Sequence, residues 1–81
     1  MMDWYDFDRL MMHCEFLATK ERLPWFMSKA LKRNGCWRTA EGKDEPYCSF
    51  DRFTYELSTD QVADISKTYR SMVSNQEKRR A

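Results

Sequence analysis

Residues 3–19 read Asp3-Trp4-Tyr5-Asp6-Phe7-Asp8-Arg9-Leu10-Met11-Met12-His13-Cys14-Glu15-Phe16-Leu17-Ala18-Thr19, and the spacing of the apolar members decides the fold. At about 100° per residue, Trp4, Phe7, Leu10, Met11, Cys14, Leu17 and Ala18 fall within an arc of roughly 140°, the width of an ordinary helical core face. Asp3, Asp6 and Asp8 crowd the first turns, where carboxylates favour the positive end of the helix dipole. A second apolar group, Tyr5, Met12 and Phe16, recurs at i, i+7 and i+11 on roughly the opposite side. A small two-layer domain does not easily bury both faces of one helix. Either the remaining chain wraps this helix, or one stripe is left for another molecule.

Working outward, Leu23-Pro24-Trp25 opens a second helix, predicted over 24–34, because proline is at home in a first turn. Phe26, Met27, Ala30 and Leu31 form its apolar stripe, and Asn34-Gly35 is a stop signal. Residues 36–50 place turn formers between aromatics, which predicts a short β-hairpin or a loop. A reversal at Gly42 would set Trp37 opposite Tyr47 and Cys36 opposite Cys48, with Pro46 on an edge or in the loop. Residues 50–57 fit a helix through Phe50, Phe53 and Leu57, or a strand through Phe53, Tyr55 and Leu57. The third helix, predicted over 59–76, is capped by Ser58 or Thr59 and carries Val62, Ile65, Tyr69, Met72 and Val73 on one side. Beyond Ser74 the apolar pattern stops, so 77–81 reads as a frayed basic tail on a single domain of residues 1–76. The expected fold is mainly α, with about three helices.

The chain has 81 residues, and 14 Lys and Arg against 13 Asp and Glu leave a formal net charge of +1. That balance excludes both an acidic DNA mimic and a histone-like polycation. Apolar residues make up 42% with only two Gly and two Pro, the composition of a folded chain. No apolar run approaches the roughly 20 residues of a membrane span, and the start lacks the basic region of a secretory leader. A cytoplasmic domain is expected, with no membrane partner. A core of this size supplies about 3–5 kcal/mol net, so association is a natural source of further stability. Cys14, Cys36 and Cys48 are odd in number and far apart, and read as thiols rather than a disulfide framework.

Catalytic and cofactor chemistry find little support. The single histidine, His13, diverges from Cys14 by about 100° around a helix, so the two are no nucleophile–base dyad. It reads as a partly buried, hydrogen-bonded side chain. His13, Cys14, Cys36 and Cys48 make four conceivable zinc ligands, but none are paired at Cys-x-x-Cys spacing. No glycine-rich phosphate loop is present. No metal, cofactor or catalytic residue is therefore assigned, and the chain reads as non-enzymatic. Asp60-Gln61-Val62-Ala63-Asp64-Ile65 followed by Tyr69-Arg70-Ser71-Met72-Val73 is faintly like a helix-turn-helix. Lys67 occupies the turn position and the apolar phase is unbroken, so one continuous helix accounts for it better. Tyr55-Glu56-Leu57-Ser58 before an acidic helix start resembles a segment of the Hha/YmoA nucleoid-associated modulators, all-helical partners of a DNA-organising protein. The likeness covers four of 81 residues. The stretch 36–49 has no counterpart in it, and no function is carried across.

Two surfaces remain. A protein-binding module, either a small inhibitor or regulator of a larger protein or a unit that pairs with a second copy of itself, would use Tyr5, Met12 and Phe16 together with Trp25 and Lys29, residue types enriched where partners dock. The alternative is a nucleic-acid-binding domain using Arg22, Trp25, Lys29, Lys32, Arg33 and Arg38, in which cations hold phosphates and aromatics stack on bases. Residues 17–35 carry a local charge of +4, but residues 1–16 carry −3 and residues 48–61 carry −2, which weakens long-range attraction to phosphate.

Overall fold

A computed structural model describes residues 4–40, 42–47 and 57–80. Its elements are α1 (Trp4–Thr19), α2 (Trp25–Arg33), β1 (Trp37–Ala40), β2 (Lys43–Pro46) and α3 (Thr59–Arg80). The mainly helical architecture expected from the apolar spacing is present, with a two-stranded hairpin between the second and third helices. The inner face of α1 is buried through Phe7, Leu10, Met11, Cys14 and Leu17, and meets Met27 and Leu31 of α2, Cys36, Leu57, and Ile65 and Met72 of α3. Ala18 is half-buried at the margin of that face, and the side chain of Trp4 lies outside the described set. Burying each large side chain of this kind is worth about 1.5–3 kcal/mol before ordering costs are subtracted.

Both reversals around α2 are fixed by backbone geometry. After α1, the Arg22 N–H donates to the Leu17 carbonyl at 2.9 Å and the Glu21 N–H to the Ala18 carbonyl at 3.1 Å. After α2, the Cys36 N–H donates to Leu31 at 2.8 Å and the Gly35 N–H to Lys32 at 3.2 Å. Each pair is a Schellman closure, which needs a left-handed residue at its centre. Gly35 fills that role with φ 76°, whereas Glu21 adopts φ 55° with a full side chain. Pro24 and Asn34, expected inside the second helix, flank it as caps. Pro24 has the extended ψ of 146°, and its carbonyl accepts the Met27 and Ser28 N–H groups at 3.1 Å each.

The hairpin pairs Trp37 with Pro46, Arg38 with Glu45, Thr39 with Asp44 and Ala40 with Lys43. This corrects the expected register by one residue. The two-residue reversal falls between Ala40 and Lys43, with Gly42 at φ 78°, so Trp37 faces Pro46 rather than Tyr47. Cys36 receives the Tyr47 N–H on its carbonyl at 3.1 Å, and Cys48 lies outside the described residues. So do residues 50–56 of the ambiguous 50–57 segment. Ser58 and Gln61 form a reciprocal capping box on α3: the Gln61 N–H donates to Ser58 Oγ at 3.2 Å and the Ser58 N–H to Gln61 Oε1 at 2.9 Å. The helix does not close at 76. It continues through Arg80, four residues beyond the expected end, as suits the strong helix formers Gln76, Glu77 and Lys78.

Glu21 supplies the first test. Replacing it with Gly removes the left-handed penalty of a side-chain-bearing residue, and the gain exceeds the added freedom of the unfolded chain. Glu21→Gly is expected to raise stability by about 0.5–1 kcal/mol, or roughly 2–8 °C in Tm, while Glu21→Ala gives no such gain. Thermal melts of the three chains measure it.

Candidate functional site

The outer face of α1 is built by the same periodicity that builds the core. Because Phe7, Leu10, Cys14 and Leu17 point inward, residues half a turn away point out. Tyr5 is 66% exposed, Met12 63% and Phe16 51%. The stripe expected either to be wrapped or to be left open is open. With more than half of each side chain open to solvent, none of the described elements forms a layer over this face of α1. Two cations flank the stripe at i, i+4 spacing. The Arg9 guanidinium lies 5.7 Å from the Tyr5 ring centre, and Lys20 Nζ lies 5.8 Å from that of Phe16. Sequence reasoning missed Arg9 and Lys20, although an aromatic followed by a cation four residues later is a readable signal.

A second exposed surface runs along α2 onto β1. Trp25 is 72% exposed, with Lys29 Nζ 5.4 Å above its ring and the Phe26 ring edge-on at 6.3 Å. One turn further on, Lys32 Nζ sits 4.8 Å above the Trp37 ring. Trp37 Nε1 and Thr39 Oγ1 both donate to Asp44 Oδ1 across the hairpin, the latter at 2.9 Å. These hydrogen bonds, that of Trp37 foremost, hold the Asp44 carboxyl below its usual range. Lys32, Trp37, Thr39, Gly42, Lys43 and Asp44 line a shallow groove there.

The basic residues singled out from sequence do not share one face. Lys29 and Lys32 accompany Trp25 on the outer side of α2. Arg33 turns toward α3 and grips Asp64 with two hydrogen bonds, Nε and Nη2 each at 2.8 Å. Arg38 projects from the other side of β1 onto Glu45, with its guanidinium 6.0 Å from the Tyr47 ring. Arg22 is exposed in the turn before α2.

His13 is half-buried and its Nδ1 is 2.8 Å from the Tyr69 hydroxyl, with the rings edge-to-face at 5.7 Å. Burial raises the pKa of Tyr69, and burial pushes the Cys14 thiol up to about 12. A protonated, enclosed thiol beside a structurally engaged histidine offers no nucleophile. Among the described residues, no three His, Cys, Asp or Glu side chains gather as a metal site. No described helix is long and apolar enough to cross a membrane. No family model, curated protein or solved structure matches the chain.

Asp64 holds the C-terminal end of α2 on α3. Besides Arg33 it accepts Asn34 Nδ2 at 2.7 Å, and the same amide donates to the Ala30 carbonyl at 2.8 Å. The Arg33 hydrogen bonds, then that of Asn34, lower its pKa from 3.8 to about 2. Above about pH 5 the carboxylate is ionised in folded and unfolded chains alike, and its contribution is complete. As pH falls toward 2 the unfolded chain takes up the proton first, and that contribution is lost. Asp64→Asn is therefore expected to lower Tm by roughly 4 °C at pH 7, a small effect because the pair is partly exposed. Melts in an acid series should show the gap from the unaltered chain closing as the pH falls from about 5 through about 2.

Proposed function

We propose that this chain is a non-enzymatic protein–protein interaction module, serving as a small inhibitor or regulator or as a self-associating unit, and that its docking face is the outer stripe of α1. The observation that carries the reading is the exposure of Tyr5, Met12 and Phe16 along one face of a helix whose other face is saturated with core contacts. Anchors at i, i+7 and i+11 on a continuous helix match the way an amphipathic helix lies in an apolar groove or against another helix. Large, semi-rigid side chains such as Tyr, Phe and Met supply contact area at modest ordering cost. Trp25 with Lys29 forms a second, smaller patch that would extend such a contact.

A second reading, single-stranded nucleic-acid binding, is favoured by one observation: Trp25 and Trp37 lie along the outer side of α2 and β1 with Lys29 over the first ring and Lys32 over the second. Three features weigh against it. Arg33 and Arg38 are spent on Asp64 and Glu45, and Asp44 sits in the same groove as an anion.

Replacing Tyr5, Met12 and Phe16 together by Ser tests the leading reading. The triple variant is expected to keep its fold, with stability lowered by no more than about 2 kcal/mol, and to lose any complex that the unaltered chain forms in affinity capture from the native host. Collapse of the isolated triple variant would show that these side chains are core and remove the reading. For the second reading, a single-stranded oligonucleotide is titrated at low and moderate salt. Binding that falls steeply with salt and disappears in the Lys29→Ala, Lys32→Ala double variant would favour it; no binding at low salt removes it.

A further inference from the structure

The charge pattern along the borders of the α1 stripe points to a partner. Asp8 and Glu15 lie along one border of Tyr5, Met12 and Phe16, and Arg9 and Lys20 lie along the other. Glu15, Arg9 and Lys20 are exposed and Asp8 is half-exposed, so all four reach the rim of anything placed on the stripe. Two α1 helices can face each other in two symmetric ways. With the two-fold axis across the helices they run antiparallel, and each border meets its own copy, acid on acid and base on base. With the axis along the helices they run parallel, and each border meets the opposite one. Asp8 then approaches Arg9 of the second copy at nearly the same height. Glu15 approaches Lys20, five residues on, the spacing at which flanking charges pair between parallel helices.

Resting on the reading of α1 as a docking face, we propose that the occupant of this stripe is a second copy of the chain, paired through parallel α1 helices. The stripe lies roughly opposite the core face, so the two globular bodies sit on the outside of the pair and do not collide. Arg9 and Lys20 already lean over Tyr5 and Phe16, which places their charged ends at the border where the acidic edge of the other copy would arrive. A helix of 16 residues is about 24 Å long, so the contact falls below the roughly 800 Å² per partner of a standard interface. The pair is accordingly weak, with a Kd above about 1 μM.

Sedimentation equilibrium of the full chain from about 10 μM to 1 mM is expected to show a reversible monomer–dimer equilibrium. Glu15→Lys and Lys20→Glu each set like charges against each other at two symmetry-related places, and each should weaken the pair roughly fivefold to tenfold. Mixing the two single variants restores opposite charges at both places and should return the affinity to that of the unaltered chain, as should the E15K/K20E chain by itself. Melting curves of each variant confirm that the monomer is intact; if a single variant fails to fold, the E15K/K20E chain by itself is the deciding measurement. A monomer at every concentration, or mixtures as weak as the single variants, would overturn the proposal. If the chain is monomeric while the triple Ser substitution still abolishes capture of a different protein, this proposal fails and the docking reading stands. A dimer untouched by the triple Ser substitution removes both.

Discussion

The inner face of α1 is the contact on which everything else depends. Phe7, Leu10, Met11, Cys14 and Leu17 close the core over Met27 and Leu31 of α2 and Ile65 and Met72 of α3, and no other described element buries as many side chains. With five of its side chains committed inward, α1 cannot rotate to hide Tyr5, Met12 and Phe16 without exposing Phe7 and Leu10 in exchange. The helix is locked in phase by its better face, and the exposed stripe follows as a geometric consequence. Among the described residues, those outside α1 and α2 form mainly a hairpin and a long, largely polar helix.

Local closures convert that contact into a unique arrangement. The two Schellman turns set the angles at which the chain leaves α1 and α2, and the second delivers Cys36 into the core directly beneath Leu31. The Asp64 clamp holds the far end of α2 against α3, joining the carboxylate to a guanidinium fork and to a buried amide that would otherwise lack a partner for one of its protons. Fixing α2 at both ends also fixes what it shows outward. Met27, Ala30 and Leu31 are enclosed, so Trp25, Lys29 and Lys32 must face solvent.

Much of this was legible because the periodic signals were long. Sixteen residues of α1 and the spacing from Val62 to Val73 are enough turns for a 3.6-residue repeat to separate inside from outside. Asn34-Gly35 and Ser58 announce their roles through side chains that have few other uses. The hairpin was legible only as a reversal. A one-residue change in turn placement shifts every pair across the strands, and nothing in Thr39-Ala40-Glu41-Gly42-Lys43 distinguishes a two-residue turn from a three-residue one. Glu21 gave no warning of its left-handed backbone, because the demand comes from the closure after Thr19 and not from the residue. The Asp64 clamp was equally hidden: its members stand 30 and 31 positions apart, and only tertiary packing brings them together.

The exposed aromatics and the half-buried Trp37 keep similar company. Tyr5, Phe16, Trp25, Trp37 and Tyr47 each have a Lys or Arg within about 6 Å of the ring centre. A cation over an aromatic face is worth about 0.5–1 kcal/mol in water, so these rings are partly satisfied in the isolated chain and less prone to indiscriminate sticking. The same cations have flexible stems that can swing to a rim while the ring is covered, keeping their charge solvated. On the proposal that α1 is a docking face, such a surface would favour a partner that offers both an apolar seat and a carboxylate beside it over one that offers grease alone. A chain with only one charge in excess can still carry a directional electrostatic pattern. That pattern is set by where opposite charges stand along a helix, not by how many there are.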